Sequence, residues 1–126
     1  MANIFEKRLL APVARRTAGG AVLDLRLPWY RALPLSTVEV AGLRIDGREV
    51  PAERMRFELN GRTWRLDEIG EQVKEYWYVT DSAFLHVEDP ALLADGHVVE
   101  LTLNLYPPYI PNLTWVTRSQ QTLRAA

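Results

Sequence analysis

The sequence predicts an all-β fold, an antiparallel, jelly-roll-like β-sandwich of about eight to ten short strands. Several stretches alternate apolar and polar residues with the period of two that half-buried strands show. Turn residues, mostly glycine, proline and Asx-Gly pairs, separate these stretches roughly every 8–12 residues. The length of 126 residues is typical of one domain. We therefore expect a single β-sandwich domain over residues 1–126.

The composition is that of a globular protein, and it argues against several function classes. A net charge of −1 provides no general field to attract nucleic acid or an anionic membrane. The chain has no cysteine, so disulfides and thiolate chemistry are excluded. No apolar run approaches membrane-spanning length, and residues 1–8 carry early charges instead of an apolar signal core. We expect a cytoplasmic protein with no nucleic-acid or membrane partner.

The first strands lead into the stretch around which the chain is organised. Residues 4–10 suit an edge strand, and a loop closed by glycines follows over residues 15–20. Apolar and charged residues then alternate over residues 23–27, as in a half-buried strand. This strand should end near Pro28, because proline cannot donate to a sheet ladder.

Two prolines bracket the aromatic loop that follows. Pro28 and Pro34 enclose Trp29, Tyr30 and Arg31, and proline restricts its own backbone and that of the preceding residue. A stiff loop therefore holds the residue types that are enriched at interface hot spots. Two interpretations stay open: the aromatic side chains form a partner-binding surface, or they fold back as a lid on the core.

Two hairpins are the strongest local signals. They follow a strand that begins within residues 36–40 and meets a bulge or bend at Gly42. Residues 43–50 and 55–66 each centre on an Asx-Gly pair, which favours a two-residue turn with positive φ at both positions. The expected cross-strand pairs are Ile45 with Arg48, Leu43 with Val50, Phe57 with Trp64 and Met55 with Leu66.

The second half of the chain has weaker signals. At most one helical turn is expected over residues 51–54, and Asp67 is a candidate cap for another. The strands expected here cover residues 75–79, 83–87 and 99–105, with a loop at residues 90–96.

The segment after the last of these strands is rich in proline. Three prolines between residues 107 and 111 favour an extended, polyproline-like arm from about residue 106. Leu113, Trp115 and Val116 lie near its end, before a polar tail. These apolar residues pack either on their own core or on a partner, and the sequence leaves both alternatives open.

A search for catalytic motifs finds no nucleophile elbow, glycine-rich phosphate loop or zinc-protease motif. His86 and His97 lack metal-ligand spacing, so a structural or exposed role is favoured for each. We assign no catalytic residue, metal ligand or cofactor to this chain. The residues alone predict a small soluble sandwich that binds a partner protein through aromatic segments braced by proline.

A combination of segments resembles the small (beta) subunits of bacterial C-glycoside deglycosidases. The proline-bracketed aromatic loop and the two hairpins are the most specific part of this resemblance. The resembling segments are residues 5–10, 26–36, 43–50, 56–64, 66–68 and 96–111. The resemblance thus covers most of the chain.

The resemblance implies an obligate pairing with a large (alpha) subunit. That subunit would be an isomerase- or epimerase-like barrel with a divalent metal, usually manganese. The complex would cleave the carbon–carbon bond between a 3-oxo sugar and an aromatic, flavonoid-type aglycone by elimination. A separate oxidoreductase would first make the 3-oxo group. This chain would support catalysis, and we predict that Trp29, Tyr30, Arg31 and Tyr109 form the centre of its contact with the alpha subunit.

Two alternatives from other classes remain. In the first, the chain is a stand-alone carbohydrate-binding sandwich whose Trp and Tyr residues stack on sugar rings. In the second, it is a scaffold in an unrelated complex. Co-purification with a barrel protein of isomerase type would discriminate between them.

Overall fold

The computed structural model describes residues 9–125, and these form twelve strands and four short 3-10 helices. The strands are β1 (Val13–Arg16), β2 (Ala21–Arg26), β3 (Leu33–Pro34), β4 (Val38–Ile45), β5 (Arg48–Glu49), β6 (Met55–Leu59), β7 (Arg62–Arg65), β8 (Tyr76–Trp77), β9 (Ser82–Val87), β10 (Val98–Leu105), β11 (Trp115–Thr122) and β12 (Arg124–Ala125). The 3-10 helices are Leu35–Thr37, Ala52–Arg54, Leu66–Glu71 and Pro90–Leu93.

The strands form two main sheets and a small third one. The six-stranded sheet has the order β12-β1-β2-β9-β6-β7, the four-stranded sheet β11-β10-β4-β5, and β3 pairs with β8. All pairings are antiparallel except that of β1 with β12. The predicted all-β antiparallel fold is confirmed. The strand number exceeds the expected eight to ten because four strands are only two residues long, too short to show an alternating pattern.

Within residues 9–125, one apolar core lies between the two main sheets. Leu23 and Leu25 of the six-stranded sheet belong to the same buried cluster as Leu101 and Leu103 of the four-stranded sheet. All four side chains are fully buried. The alternation read from the sequence therefore places one face of each sheet inward, as in a sandwich. In the described part of the chain, no helix is long and apolar enough to cross a membrane.

The bulge expected near Gly42 is present in β4. Gly42 pairs with Thr102 while Val40 pairs with Leu103, so Ala41 is an extra residue without an opposite partner. Because of this extra residue, the alternation shifts by one position after Val40, so the side chains of Leu43 and Ile45 point into the core.

Both hairpin turns have the predicted geometry. Asp46 and Gly47 have φ values of 52° and 82°, and Asn60 and Gly61 have values of 54° and 78°. Positive φ at both central positions defines the type I′ turn, whose twist matches that of the flanking strands.

The predicted hairpin register is confirmed for three of the four pairs. Ile45 opposes Arg48, the Val50 N–H donates to the Leu43 carbonyl, and Phe57 opposes Trp64. The expected pairing of Met55 with Leu66 does not form, because the ladder ends at Arg65 and Leu66 begins a 3-10 helix.

That 3-10 helix also corrects the expected capping role of Asp67. The N-cap residue is Arg65, whose backbone N–H donates to the Glu68 carboxylate at 2.7 Å. Asp67 instead accepts from the Arg65 side chain at 3.1 Å. The expected turn over residues 51–54 is confirmed as Ala52–Arg54.

The largest difference from the sequence interpretation lies at the C-terminal end. The chain turns after β10 and returns as β11, which pairs with β10 along its whole length. Instead of the predicted extended arm, residues 106–114 form the connection between the two strands, and in a turn there the Ile110 N–H donates to the Pro107 carbonyl at 3.2 Å. Trp115 packs against the core, while Val116 faces outward and is exposed. The inward positions Thr117 and Ser119 are polar yet buried, so no apolar alternation signalled the strand.

Two other expected strands are shorter than predicted or only partly described. Within residues 75–79, only Tyr76 and Trp77 form a strand. Residues 4–8 of the edge strand expected over residues 4–10 lie outside the described residues. Leu10 forms an isolated antiparallel bridge with Leu25.

Candidate functional site

The structure brings the four predicted site residues together in one group, which we call the aromatic cluster: Trp29, Tyr30, Arg31 and Tyr109. The first three follow β2, where the strand ends at Arg26 before Pro28, and Tyr109 lies in the loop after β10. The indole Nε1–H of Trp29 donates a hydrogen bond to the Tyr109 hydroxyl at 2.5 Å. This bond joins segments 80 residues apart in the chain.

Trp29 forms the buried base of the aromatic cluster. Its side chain is 5% exposed and belongs to the core cluster. Its ring centroid lies 5.3 Å from that of Trp115 in an edge-to-face arrangement and 5.0 Å from that of Tyr30. The lid interpretation therefore holds for Trp29. Tyr30 differs, because it is 60% exposed.

The exposed part of the aromatic cluster consists of Tyr30, Arg31 and Tyr109. The guanidinium carbon of Arg31 lies over the Tyr109 ring, 4.7 Å from its centroid, which is a favourable cation–π distance. A hydrogen bond with Tyr109 raises the pKa of the Tyr30 phenol above its ordinary value. Two phenols and a guanidinium are thus held together on a buried indole, which reduces their freedom before any partner arrives.

Neighbouring contacts hold both loops in place. The Arg26 side chain donates to the Thr80 carbonyl at 2.6 Å, next to the Pro28 loop. Beside the β10–β11 loop, the Tyr106 hydroxyl donates to Glu39 at 2.8 Å, and the Asn104 side-chain amide donates to the same oxygen at 2.9 Å. These two hydrogen bonds hold the pKa of the Glu39 carboxyl below its ordinary value.

Sequence reasoning missed these supporting residues and left the position of Trp115 undecided. Alternation alone placed Glu39 and Asn104 on outward faces of two strands. Their contact depends on the pairing of β4 with β10, which sets Asn104 opposite Glu39. The two residues are 65 positions apart in the chain, and no local sequence pattern indicates their contact. For Trp115, the available signal was an apolar side chain directly after a proline-rich turn.

The two histidines lie apart from the aromatic cluster's hydrogen bonds, each beside one carboxylate. His86 Nε2 lies 2.7 Å from Glu58, and His97 Nδ1 lies 2.5 Å from Asp46. The first contact joins β9 to β6 at half-buried positions, whereas the second joins the residue before β10 to the exposed turn residue Asp46. Between residues 9 and 125, no group of three or more His, Cys, Asp or Glu residues could hold a metal ion. The histidine contacts are thus isolated pairs within the described chain.

The fold and the aromatic cluster together define a class of protein: a small antiparallel β-sandwich with a preorganised aromatic surface. Such a surface has the rigid tyrosines and the arginine that protein interfaces favour. It is also well suited to contact with aromatic or sugar rings. The geometry is compatible with both kinds of contact.

The chain belongs to the C-glycoside deglycosidase beta subunit family, whose family model matches residues 3–109. It is 45% identical over 105 residues to a C-glycoside deglycosidase beta subunit from Microbacterium trichothecenolyticum, covering 82% of this chain and 79% of that protein. It is 38% identical over 92 residues to a 3′-dehydrocarminate deglycosidase beta subunit from a Microbacterium species, covering 73% and 70%. A C-glycoside deglycosidase beta subunit from Arthrobacter globiformis is 38% identical over 93 residues, covering 73% and 71%.

Family membership gives the chain its place in an enzyme: it is a subunit of a C-glycoside deglycosidase, and the name implies a partner alpha subunit. The matched residues 3–109 include all four members of the aromatic cluster.

Proposed function

We propose that this chain pairs in the cytoplasm with a metal-dependent alpha subunit, and that the complex cleaves the carbon–carbon bond between a 3-oxo sugar and an aromatic, flavonoid-type aglycone. The observation that carries this proposal is the family match over residues 3–109. A relative's name supports the sugar's oxidation state, because a 3′-dehydro compound has lost two hydrogens at its 3′ position. We propose an isomerase- or epimerase-like barrel for the alpha subunit and manganese as its metal.

The proposed chemistry follows from the bond that must break. A carbon–carbon glycosidic bond has no leaving oxygen to protonate, so hydrolysis by two carboxylates is not available. A ketone at C3 acidifies the proton on C2, and a base can remove it. The electron pair then forms a C1–C2 double bond as the bond from C1 to the aglycone carbon breaks. That carbon takes up a proton, so the products are the free aglycone and an unsaturated keto sugar.

The divalent metal of the alpha subunit would stabilise the enolate oxygen that develops at C3. We propose that this chain contributes binding and positioning to that process. Its role as a non-catalytic subunit is part of the proposal, as is the assignment of the base and the proton donor to the alpha subunit.

We propose that the aromatic cluster forms the centre of the contact between the two subunits. Tyr30, Arg31 and Tyr109 are exposed, and buried Trp29 holds Tyr109 in position. Pro28 and Pro34 further limit the freedom that docking would remove. A stable interface buries roughly 800 Å² on each partner, and a few aromatic or arginine side chains carry most of its energy. The cluster has these side chains in a rigid setting.

The test is reconstitution from separately purified subunits. A 3-oxo-C-glycoside is incubated with this chain, with the alpha subunit, and with both, and release of the aglycone is followed by chromatography. We expect turnover only when both subunits are present, together with a stable complex in size-exclusion chromatography. Turnover by this chain alone at the rate of the complex would contradict the accessory role. Failure of the subunits to associate would contradict the pairing.

A further inference from the structure

The guanidinium of Arg31 is exposed, and its position is fixed by its contacts. It lies over the Tyr109 ring, and the hydroxyl of that ring is held by the Trp29 indole. Among residues 9–125, no carboxylate oxygen lies within 4.0 Å of the Arg31 guanidinium nitrogens, in contrast to Arg48 or Arg65. The chain therefore presents a positioned cation without an anionic partner of its own in its described part.

The contact of Arg31 with the Tyr109 ring leaves N–H donors of the guanidinium available for a partner. A guanidinium that stacks on a ring through its flat face keeps its five N–H donors in its own plane. Arg31 shares a hydrogen bond with the Tyr30 phenol, and its other donors remain for a partner. Two of those parallel donors match the two oxygens of a carboxylate. Because the ring already restricts the arginine, less side-chain freedom is lost when such a carboxylate binds.

We propose that Arg31 binds a carboxylate on the alpha subunit, so that the aromatic cluster fits a partner surface with an acidic side chain beside an apolar patch. The apolar patch would receive the Tyr30 and Tyr109 rings. This inference rests on the pairing proposed above and adds the chemistry of the partner surface. Charge complementarity then sets the orientation of the two subunits, which apolar contacts alone define less sharply.

The experiment measures the affinity of this chain for the separately purified cognate alpha subunit, at low and at high ionic strength. The variants are Arg31→Lys, Arg31→Gln and Arg31→Glu. The matched control is Arg118→Glu, because Arg118 is exposed on the outward face of β11, opposite Thr102. Thermal unfolding of each isolated variant establishes that it is folded as the wild type is.

We expect Arg31→Glu to weaken association about 100-fold or more, because it places two carboxylates face to face. Arg31→Lys should weaken it about tenfold, since an ammonium cannot form the bidentate pair. Arg118→Glu should stay within about threefold of the wild type, as expected for a charge at or beyond the rim. The wild-type affinity should fall with rising salt, and Arg31→Gln should respond less steeply.

Different results overturn different claims. If Arg31→Glu binds as tightly as Arg118→Glu, or if wild-type affinity does not depend on salt, Arg31 binds no carboxylate on the partner. In that event the complex still forms and turns over, and the proposed function stands. If the wild type does not bind the alpha subunit at all, the inference and the proposed function fail together.

Discussion

One side-chain contact between the two main sheets is neutral, and another is ionic. In the neutral contact, Trp29 after β2 donates to Tyr109 after β10. In the ionic contact, Arg48 of β5 binds Asp89 after β9 through two hydrogen bonds of 2.9 and 3.2 Å. Asp89 is 2% exposed and also caps the 3-10 helix at Ala91. Each contact thus connects elements of opposite sheets.

The two contacts differ in what they present to solvent. The neutral one is buried at Trp29 and carries exposed tyrosine rings and a cation above it. The ionic one buries its carboxylate and displays only the half-exposed Arg48 side chain. We infer that the two contacts differ in role. The Arg48–Asp89 pair stabilises the fold, whereas the Trp29–Tyr109 pair stabilises the fold and also positions the exposed side chains of the proposed interface.

Replacing Trp29 tests whether the neutral contact also stabilises the fold. Trp29→Ala should lower the free energy of unfolding by about 3–5 kcal/mol, as is typical for a buried tryptophan. This loss is what the lid interpretation predicts for Trp29. Urea unfolding of the isolated chain is the measurement, with Tyr30→Ala as the exposed control. Equal stability of the two variants would contradict the structural role of Trp29.

Replacing Asp89 tests the ionic contact. Asp89→Ala removes two hydrogen bonds to Arg48 and one to the Ala91 N–H. The Arg48 side chain is 54% exposed and can be hydrated, so we expect a loss of about 2 kcal/mol, below the cost of breaking a fully buried pair. Binding to the alpha subunit should be unchanged at temperatures where the variant is folded. A large loss of affinity would show that the interface includes this region.

Replacing Tyr30 tests the exposed surface, because it should weaken binding to the alpha subunit without lowering the stability of the fold. Tyr30→Ala should weaken association with the alpha subunit by about 1–2 kcal/mol, because an exposed aromatic ring at an interface centre contributes on this scale. Tyr30→Phe keeps the ring and removes the hydrogen bond with Tyr109, so it separates ring burial from phenol positioning. Calorimetric titration gives both affinities. Wild-type binding by Tyr30→Ala would place the interface elsewhere, for example on the outer faces of the hairpins.

Acid should also distinguish the two contacts, because protonation of Asp89 removes part of the stability that the ionic pair contributes. Arg48 lowers the pKa of the Asp89 carboxyl below its ordinary value. Its contribution to stability is therefore complete above the unfolded pKa of about 3.9 and is lost as pH falls through the lowered folded pKa. Asp89→Asn should show a shallower loss of stability over this acidic range. Identical pH profiles would assign the acid sensitivity to other carboxylates, such as Asp46 or Glu39, whose pKa values are also lowered.

Replacing the two histidines should have the smallest effect on the complex. His86 and His97 each contact a single carboxylate. Replacing both with glutamine should leave the metal content and turnover of the complex nearly unchanged. Metal analysis of the purified complex is the direct measurement. Loss of metal in the double variant would show that one of them reaches the alpha subunit's site.

Local chemistry made the turns and their registers predictable. Asp46-Gly47 and Asn60-Gly61 encode their turns directly, and the Ala41 bulge follows from Gly42 together with a shift in apolar spacing. The sequence did not predict β11, because its inward positions include Thr117 and Ser119, which give no apolar alternation. The strand is defined by its partner β10, whose clean alternation was readable.

For the aromatic cluster, residue types were predictable but arrangement was not. Proline spacing and composition drew attention to residues 29–31 and to Tyr109. Whether Trp29 faces inward depends on Trp115 and on the return of the chain as β11, which long-range pairing determines. The sequence therefore identified the members of the cluster without separating its buried base from its exposed surface.

The parallel pairing of β1 with β12 has a consequence for the order in which the protein folds. Val13 pairs with Arg124, so this edge joins nearly the two ends of the described chain. Contacts between residues so distant in sequence require closure of a very long loop, and proteins rich in them fold slowly. During synthesis, β1 can align with β2 well before β12 emerges. Until then β1 is an unpaired edge strand, and unpaired strand edges promote aggregation.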